Sequence, residues 1–105
     1  MQITKNTIIS AVYNGAIEVS SGSTLELTGI VTGDIQVDAD CVAYIKGIVN
    51  GSLYVAASAN VEVRGTINGT VNNDGGNVRI FGIVDRVVTI KGDTFLDAGA
   101  IIRNK

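Results

Sequence analysis

The chain has 105 residues, 46% of them hydrophobic but only 5% aromatic, so it can form one domain with an aliphatic core. Its formal net charge of −2 gives no basic surface of the kind that nucleic-acid-binding proteins present. It has no histidine and one cysteine, which argues against the usual zinc sites, nucleophile–base pairs and internal disulfides. We therefore expect a protein that is not an enzyme.

The beginning of the sequence has no basic-then-apolar leader, and no run of about 18 apolar residues could span a membrane. The single cysteine, Cys41, suits a reducing compartment. We therefore expect a cytoplasmic protein that does not insert directly into a membrane.

In chain order, residues 1–8 are mostly polar, and the first coil of a repeat is recognisable from about Ile9. Gly15 and Ile17 precede Gly33 and Ile35 by the same interval that separates the later repeats. We expect one domain over residues 1–105, with coils from about 9 to 102 and short polar ends at 1–8 and 103–105.

One short sequence repeat, which we call the repeated phrase, then occurs four times. It reads GIVTGDIQV at 29–37, GIVNGSLYV at 47–55, GTINGTV at 65–71 and, in weakened form, GIVDRVVTI at 82–90. The leading glycines are Gly29, Gly47, Gly65 and Gly82, and the last step between them is one residue shorter than the two before it. A fixed period this short, about 18 residues, indicates a solenoid, in which each repeat buries its apolar face against its neighbours.

Within each coil, aliphatic residues alternate with polar ones, which is the period of a β-strand with one buried face. Glycine recurs inside every segment, which argues against helix. Stacked coils predict five inward columns, which are Leu25/Ala43/Val61/Val78, Leu27/Ile45/Val63/Ile80, Val31/Val49/Ile67/Val84, Ile35/Leu53/Val71/Val88 and Val37/Val55/Asn73/Ile90.

Small or turn-forming residues recur at one place in every coil, at 20–24, 38–41, 56–60 and 73–77. Cys41 is equivalent to Ser23 and Ala59, so we expect it to be a small corner residue. The repeat is one residue shorter at 72–77, where asparagines and glycines can adopt left-handed backbone angles.

Two segments could hold a cation. Asp38 and Asp40 flank one residue at a corner, where solvated carboxylates are also common. The DGGN segment at 74–77 is similar to a calcium-binding glycine turn, but a calcium β-roll needs that turn in successive coils. We expect no metal site and no cofactor.

Aliphatic residues also recur every six positions from Leu25 to Ile67, as in left-handed hexapeptide acyltransferases. That family places a small residue directly after the aliphatic one and uses a histidine base. This chain has Glu26, Thr32 and Asp38 at such places, and it has no histidine. Its glycines instead bracket the central strand of each coil, as in GIVTG at 29–33.

The resulting phrase G-x-[VI]-x-G-x-[IVL], with a Val-x-Val-x-Gly segment before it, resembles the core repeat of bactofilins, the polymer-forming cytoskeletal proteins of bacteria. The resemblance extends from Ile9 to Ile101. It implies a right-handed, three-sided β-helix whose copies associate end to end into nonpolar filaments without a nucleotide. We therefore expect an all-β, single-domain parallel β-helix (β-solenoid) of about six coils of about 18 residues, right-handed with a triangular aliphatic core.

Self-association is expected at the ends of the rod, because a β-solenoid leaves strand edges with unpaired N–H and C=O groups there. The last coil is predicted to align Phe95 with Val78, Gly99 with Gly82 and Ile101 with Val84. The predicted self-association residues are Phe95, Leu96, Ile101 and Ile102 at one end and Ile9 and Tyr13 at the other.

A second candidate surface runs along one side of the rod. It consists of two outward columns, Glu26/Tyr44/Glu62/Arg79 and Lys46/Arg64/Phe81, the second of which begins with Thr28. Exposed aromatic residues among charges suit a protein-binding face. Ladders of opposite charge between neighbouring coils explain the same pattern without a partner.

Three function classes remain open, of which an enzyme is the least supported because the sequence has no recognisable catalytic groups. The first is a non-enzymatic structural protein that self-associates end to end into nucleotide-independent filaments, so that its partner is itself. The alternative is a small binding module, an immunity protein or inhibitor that covers the active site of a protein toxin. The acidic corner residues could meet the basic surface of a nuclease toxin.

Overall fold

The computed structural model describes residues 2–20 and 22–103, which contain fourteen β-strands and no helix. The strands are β1 (Gln2–Ile3), β2 (Thr7–Ile9), β3 (Val12–Tyr13), β4 (Ile17–Val19), β5 (Thr24–Leu27), β6 (Ile30–Val31), β7 (Ile35–Val37), β8 (Val42–Ile45), β9 (Ile48–Val49), β10 (Leu53–Val55), β11 (Asn60–Val63), β12 (Thr66–Ile80), β13 (Ile83–Leu96) and β14 (Ile101–Ile102). The strands pair in parallel, and the chain is a β-solenoid of about six turns with a spacing of about 18 residues. The predicted all-β solenoid is confirmed.

Pairing between successive coils builds three ladders, which we call face 1, face 2 and face 3 in the order in which each coil visits them. Face 1 contains β2, β5, β8, β11 and residues 77–80 and 93–96. Face 2 contains β3, β6, β9, residues 66–67 and 83–84, and β14. Face 3 contains β1, β4, β7, β10 and residues 70–73 and 86–89. β12 and β13 cross all three faces and join the ladders into one sheet.

The core is built from inward columns that the repeat predicts. Val31, Val49 and Ile67 lie opposite one another in successive coils and are fully buried. The columns that begin with Leu25 and Leu27 are buried in the same way down to residues 78 and 80. Because each such aliphatic side chain contributes about 1.5–3 kcal/mol when it is buried, the stacked columns supply the main stabilisation of a chain with few aromatic residues.

Two columns of glycine explain why the repeated phrase has a glycine on each side of face 2. A Cβ atom on Gly47 would lie 1.9 Å from the carbonyl oxygen of Gly29, and one on Gly65 would lie 1.9 Å from that of Gly47. On the other side, a Cβ atom on Gly51 would lie 2.3 Å from the oxygen of Gly33. Any larger residue at these corners would force the coils apart.

The corner between face 3 and face 1 has a left-handed backbone in successive coils. Gly22, Asp40, Ser58 and Gly75 have φ angles of 83°, 60°, 65° and 108°. The residue that follows is small and buried in each of these corners, as Ser23, Cys41, Ala59 and Gly76. The prediction that Cys41 is a small corner residue is therefore confirmed, and its Sγ lies 2.7 Å from the carbonyl oxygen of Ser20.

The shortened corner lies where the sequence predicts it. Asn73 lies opposite Val55, whereas Asn77 lies opposite Asn60, so the pairing step becomes one residue shorter between them. Asn73, the polar member of an inward column, is fully buried, and its amide is hydrogen-bonded to the backbone of Gly76. The polar residue therefore stabilises the corner that the shortening creates.

The step between β12 and β13 is irregular. Ile67 lies opposite Val84 but Thr70 lies opposite Arg86, because the corner that contains Gly69 is one residue shorter in the later coil. Further register shifts lie on both sides of Asp74. The predicted alignment of the last coil, which assumes a constant step, is therefore wrong.

Several predicted positions are corrected by this shift. The residues that lie opposite each other are Val71 and Val87, Asn73 and Thr89, Val78 and Thr94, Arg79 and Phe95, and Val84 and Ile102. Val88 and Ile90, predicted to face inward, are therefore exposed. Phe95 and Ile101 also point outward. Gly99 does not align with Gly82, whose carbonyl accepts a hydrogen bond from the N–H of Ile101.

The ladders begin before Ile9. β1 pairs with β4, so that Ile3 lies opposite Val19 and is buried. β2 pairs with β5 from Thr7 onward. The step from Ile3 to Val19 is shorter than the repeat period, so subtracting that period does not find this strand. Residues 2–8 therefore contribute strands to the solenoid as well as polar surface.

Candidate interaction surfaces

Among residues 2–20 and 22–103, no group of three or more histidine, cysteine or carboxylate side chains is placed to hold a metal ion. No helix in that part of the chain is long and apolar enough to cross a membrane. Asp38 and Asp40 lie at a corner, where the carboxylate of Asp38 accepts a hydrogen bond from Gln36 at 3.2 Å. The candidate sites that the structure does contain are surfaces of the rod.

Face 1 brings together the two predicted outward columns. The first is Glu26, Tyr44, Glu62 and Arg79, which lie opposite one another in successive coils. The second is Lys46, Arg64 and Phe81, whose N–H groups bond to equivalent carbonyls of the coils before them. The first column continues to Ile8 at one end and to Phe95 at the other.

Charged side chains of face 1 pair with each other. Lys46 Nζ lies 2.8 Å from Glu26 Oε1 in the preceding coil. Arg64 pairs with Glu62 in its own coil. All four side chains are partly exposed, so each pair contributes at most about 1 kcal/mol. These pairs account for the alternating charge without a partner.

An aromatic cluster lies at the C-terminal part of face 1. The guanidinium of Arg64 is 4.7 Å from the ring centroid of Phe81, within the range of a cation–π contact. The ring centroids of Phe81 and Phe95 are 6.4 Å apart, with a tilt of 55°. Phe95, predicted for the rod end alone, therefore also belongs to the side of the rod.

A groove of about 700 Å³ lies between Tyr44 and this cluster. Polar residues of successive coils line it, among them Asn60, Asn77 and Arg79. Its volume is within the range of ligand pockets, and aromatic residues beside polar groups are typical of interface hot spots. The groove lies on the predicted lateral binding face.

A β-solenoid is an architecture on which unrelated functions occur, so the fold alone does not assign one. No family model, curated protein or solved structure matches this chain. A function must therefore be argued from the surfaces and ends of the rod itself.

The C-terminal end exposes apolar residues of the last coil. Leu96 continues the inward column of Ile80 but is 47% exposed, because no described strand lies beyond it. Ile102 is partly buried against the core, whereas Ile101 points outward and is exposed. Among the described strands, β14 pairs with β13 alone, so its other edge is open.

Ile9 and Tyr13 lie at the opposite end, as predicted for the first coil. Both are partly buried and pack on the core. The ring of Tyr13 lies close to Gly15, where a Cβ atom would be 3.4 Å from the ring. In the part of the chain that the structure describes, β2 and β3 each pair with one strand. Each end therefore combines a strand edge with apolar side chains.

An outward column of aliphatic residues on face 2 is absent from the sequence-based predictions. It consists of the aliphatic residues Val12, Ile30, Ile48, Ile83 and Ile101, with Thr66 between Ile48 and Ile83. The sequence does indicate this column, through pairs of adjacent aliphatic residues such as Ile48 and Val49. Neighbours in a strand point to opposite faces, so such a pair makes both faces apolar.

Face 3 carries an interacting pair of carboxyl groups. A hydrogen bond to Asp38, together with repulsion between the two groups, raises the pKa of Glu18. A protonated carboxyl can donate to a carboxylate, whereas two carboxylates can only accept and repel each other. Glu18 is exposed to solvent, so this pair perturbs stability only slightly.

Proposed function

We propose that this protein is a structural protein that self-associates through the ends of its β-helix, as its resemblance to bactofilins implies. The resemblance also implies the right-handed coil and the nonpolar filament. The proposed setting is the cytoplasm, which is supported by the single cysteine Cys41, whose thiol is free.

The exposure of Leu96 is the observation that carries the proposal. Its equivalents in earlier coils, such as Ile45 and Ile80, are fully buried, whereas Leu96 is 47% exposed. Burying an aliphatic side chain of this size contributes about 1.5–3 kcal/mol. Among the described strands, residues 93–96 pair with β12 alone, so their other edge offers unpaired backbone N–H and C=O groups. A second copy that continues the ladders would bury the leucine and pair those groups.

A joint of this kind is made of apolar side chains and backbone hydrogen bonds. Assembly should therefore need neither a nucleotide nor a metal ion. Removing metal with a chelator should leave the size of the assemblies unchanged.

Leu96→Lys tests the proposal, because it places a charge in the joint. We expect shorter species by sedimentation velocity and electron microscopy, with the β-sheet signal in circular dichroism retained. Tyr44→Lys is the control, since Tyr44 is similarly exposed but lies on face 1 in the middle of the rod. A parent that stays monomeric at high concentration and low salt, or unchanged assemblies of Leu96→Lys, would contradict end-to-end association.

The groove on face 1 favours a second candidate, a binding module that inhibits a protein toxin such as a nuclease. Tyr44, Phe81 and Phe95 are exposed or partly exposed around it, and truncation of such aromatic residues commonly weakens binding strongly. Under this candidate the parent is a monomer that blocks the toxin in an activity assay. Tyr44→Lys then loses inhibition and Leu96→Lys keeps it, which is the reverse of the pattern expected for filaments.

A further inference from the structure

Face 2 is apolar on both sides of its strands. Its inward column contains Val31, Val49 and Ile67, all fully buried. Its outward column is the aliphatic one defined above, in which Val12 is 61% and Ile48 is 38% exposed. Parallel strands that are apolar on both sides are normally covered on both sides. Nothing in the described chain covers the outer side of face 2.

Face 2 is also the side of the rod with the fewest charges. From residue 11 to 15, 29 to 33, 47 to 51 and 65 to 69, its first four coils contain no charged side chain. Its last two coils carry Asp85 and Arg103, which have opposite signs. Face 1, in contrast, carries Glu26, Lys46 and other charged residues in its outward columns. Face 3 carries Glu18 and Arg86 in its strands and Asp34 and Asp38 beside them.

The polar residues of face 2 bond mainly to one another. Thr32 donates a hydrogen bond of 2.6 Å to the side-chain oxygen of Asn14 in the preceding coil. Asn68 donates one of 2.7 Å to that of Asn50. Polar groups that are already hydrogen-bonded within the ladder lose fewer hydrogen bonds to water when a partner covers the surface. This lowers the cost of covering face 2.

We propose that face 2 is a lateral interface on which a second copy of the same chain packs, face 2 against face 2, with the two rods side by side. Two identical chains of net charge −2 repel each other, and face 2, which has few charges and no net charge, lets them approach with the least repulsion. An aliphatic column that repeats about every 4.8 Å is also best matched by a second column with the same spacing.

The size of the face determines how strong the contact is. Six coils about 4.8 Å apart and a side of about five residues at about 3.3 Å give roughly 400–500 Å² per copy. The total surface area that a pair buries is then smaller than the roughly 1200–2000 Å² that a stable complex buries. Single rods therefore pair weakly, at high micromolar to millimolar concentration. Where copies are joined end to end, the outward column of one copy would be continued by that of the next. This part of the inference rests on the proposed function. Successive contacts would then add along the length.

Ile48→Lys tests the interface, because Ile48 projects from the middle of the column. Tyr54→Lys is the matched control, since Tyr54 lies in the same coil, is 45% exposed and projects from face 3. By sedimentation equilibrium and small-angle X-ray scattering, we expect Tyr54→Lys and the parent to form side-by-side pairs or assemblies of double width. Ile48→Lys should lose about tenfold or more in pairing affinity, because it buries an unpaired charge. If Ile48→Lys fails to fold, Ile48→Thr replaces it, because Thr66 already occupies the same column.

The same comparison in a Leu96→Lys background separates this inference from end-to-end growth. In this background the end is blocked, so any pairs that form at millimolar concentration are side by side. If Ile48→Lys removes those pairs, the lateral interface is supported, whether or not the parent forms filaments. Equal pairing of the Ile48→Lys and Tyr54→Lys proteins would overturn it. So would a parent that shows no lateral pairing at that concentration, or one that binds phosphatidylcholine vesicles through face 2 without pairing.

Discussion

The amide side chain of Asn73 forms two hydrogen bonds with the backbone of Gly76. Its Oδ1 accepts from the N–H at 2.8 Å, and its Nδ2 donates to the carbonyl oxygen at 3.1 Å. The same Nδ2 lies 3.0 Å from the carbonyl oxygen of Asp93 and 3.1 Å from Thr94 Oγ1 in the next coil. A buried side chain therefore stabilises the shortened corner and links it to the coil that follows.

Asn73→Ala should destabilise the protein by about 1–3 kcal/mol, because it leaves the buried N–H of Gly76 without an acceptor. The measurement is the free energy of unfolding in urea. Asn60→Ala is the control: its side chain is exposed and accepts one bond of 3.3 Å from Asn77. Equal effects of the two substitutions would show that the bonds of Asn73 to Gly76 do not stabilise the corner.

Gly47→Ala should destabilise by about 1–3 kcal/mol or more, because the added methyl group must displace the carbonyl of Gly29 in the coil before it. Gly99→Ala is a matched control, because the nearest atom to its added methyl group would be an Asp97 carboxylate oxygen at 3.5 Å. Thermal unfolding by circular dichroism compares the two. A parent-like midpoint for Gly47→Ala would contradict the close approach of the coils.

Ser23→Ala should stabilise the protein by about 1 kcal/mol, because burying a hydroxyl without a partner carries a desolvation penalty. The Ser23 hydroxyl is buried and has no hydrogen-bond partner among the described residues. The equivalent residue of a later coil, Ala59, shows that the site accepts alanine. Ser52→Ala is the contrast, since Ser52 Oγ accepts a bond of 3.2 Å from the N–H of Thr70. Urea midpoints that rise for Ser23→Ala and fall for Ser52→Ala are the expected result, and a fall for both would refute it.

Glu18→Gln should change how stability depends on pH. The pKa of Glu18 in the folded protein lies above its ordinary value of 4.5, so the folded chain binds this proton more tightly than the unfolded chain does. The stabilisation that results from this tighter proton binding is present below about pH 4.5 and is lost as the pH rises through the folded-state pKa of Glu18. The urea midpoint of Glu18→Gln relative to the parent should therefore be higher at pH 7 than at pH 4. Asp38→Asn should act in the same direction, and parallel pH profiles of parent and variants would show that the pair is not coupled.

The repeat was sufficient to predict the solenoid, its inward columns from residue 25 to 84 and the position of the shortened corner. The coil and its columns recur several times, so one irregular residue does not obscure them, and the asparagines and glycines at 72–77 mark the shortened corner. Leu96 and Ile102 were also placed at the open end. The errors lie where the period changes, at Ile3 and again after Gly69, since an alignment by constant period cannot locate a deleted residue.

The sequence by itself determined the architecture of this protein, because alternating aliphatic residues and corner glycines are local requirements that every coil must satisfy. Only the tertiary structure decided which side chains meet on the outside. Phe95 joins Phe81 and Arg64 through a register shift of one residue, which reverses the direction of every side chain in a strand. Ile48 likewise became part of an exposed column only when the strands of successive coils were stacked. Surface neighbours come from different coils, so their contacts depend on the register of the stack rather than on any single segment.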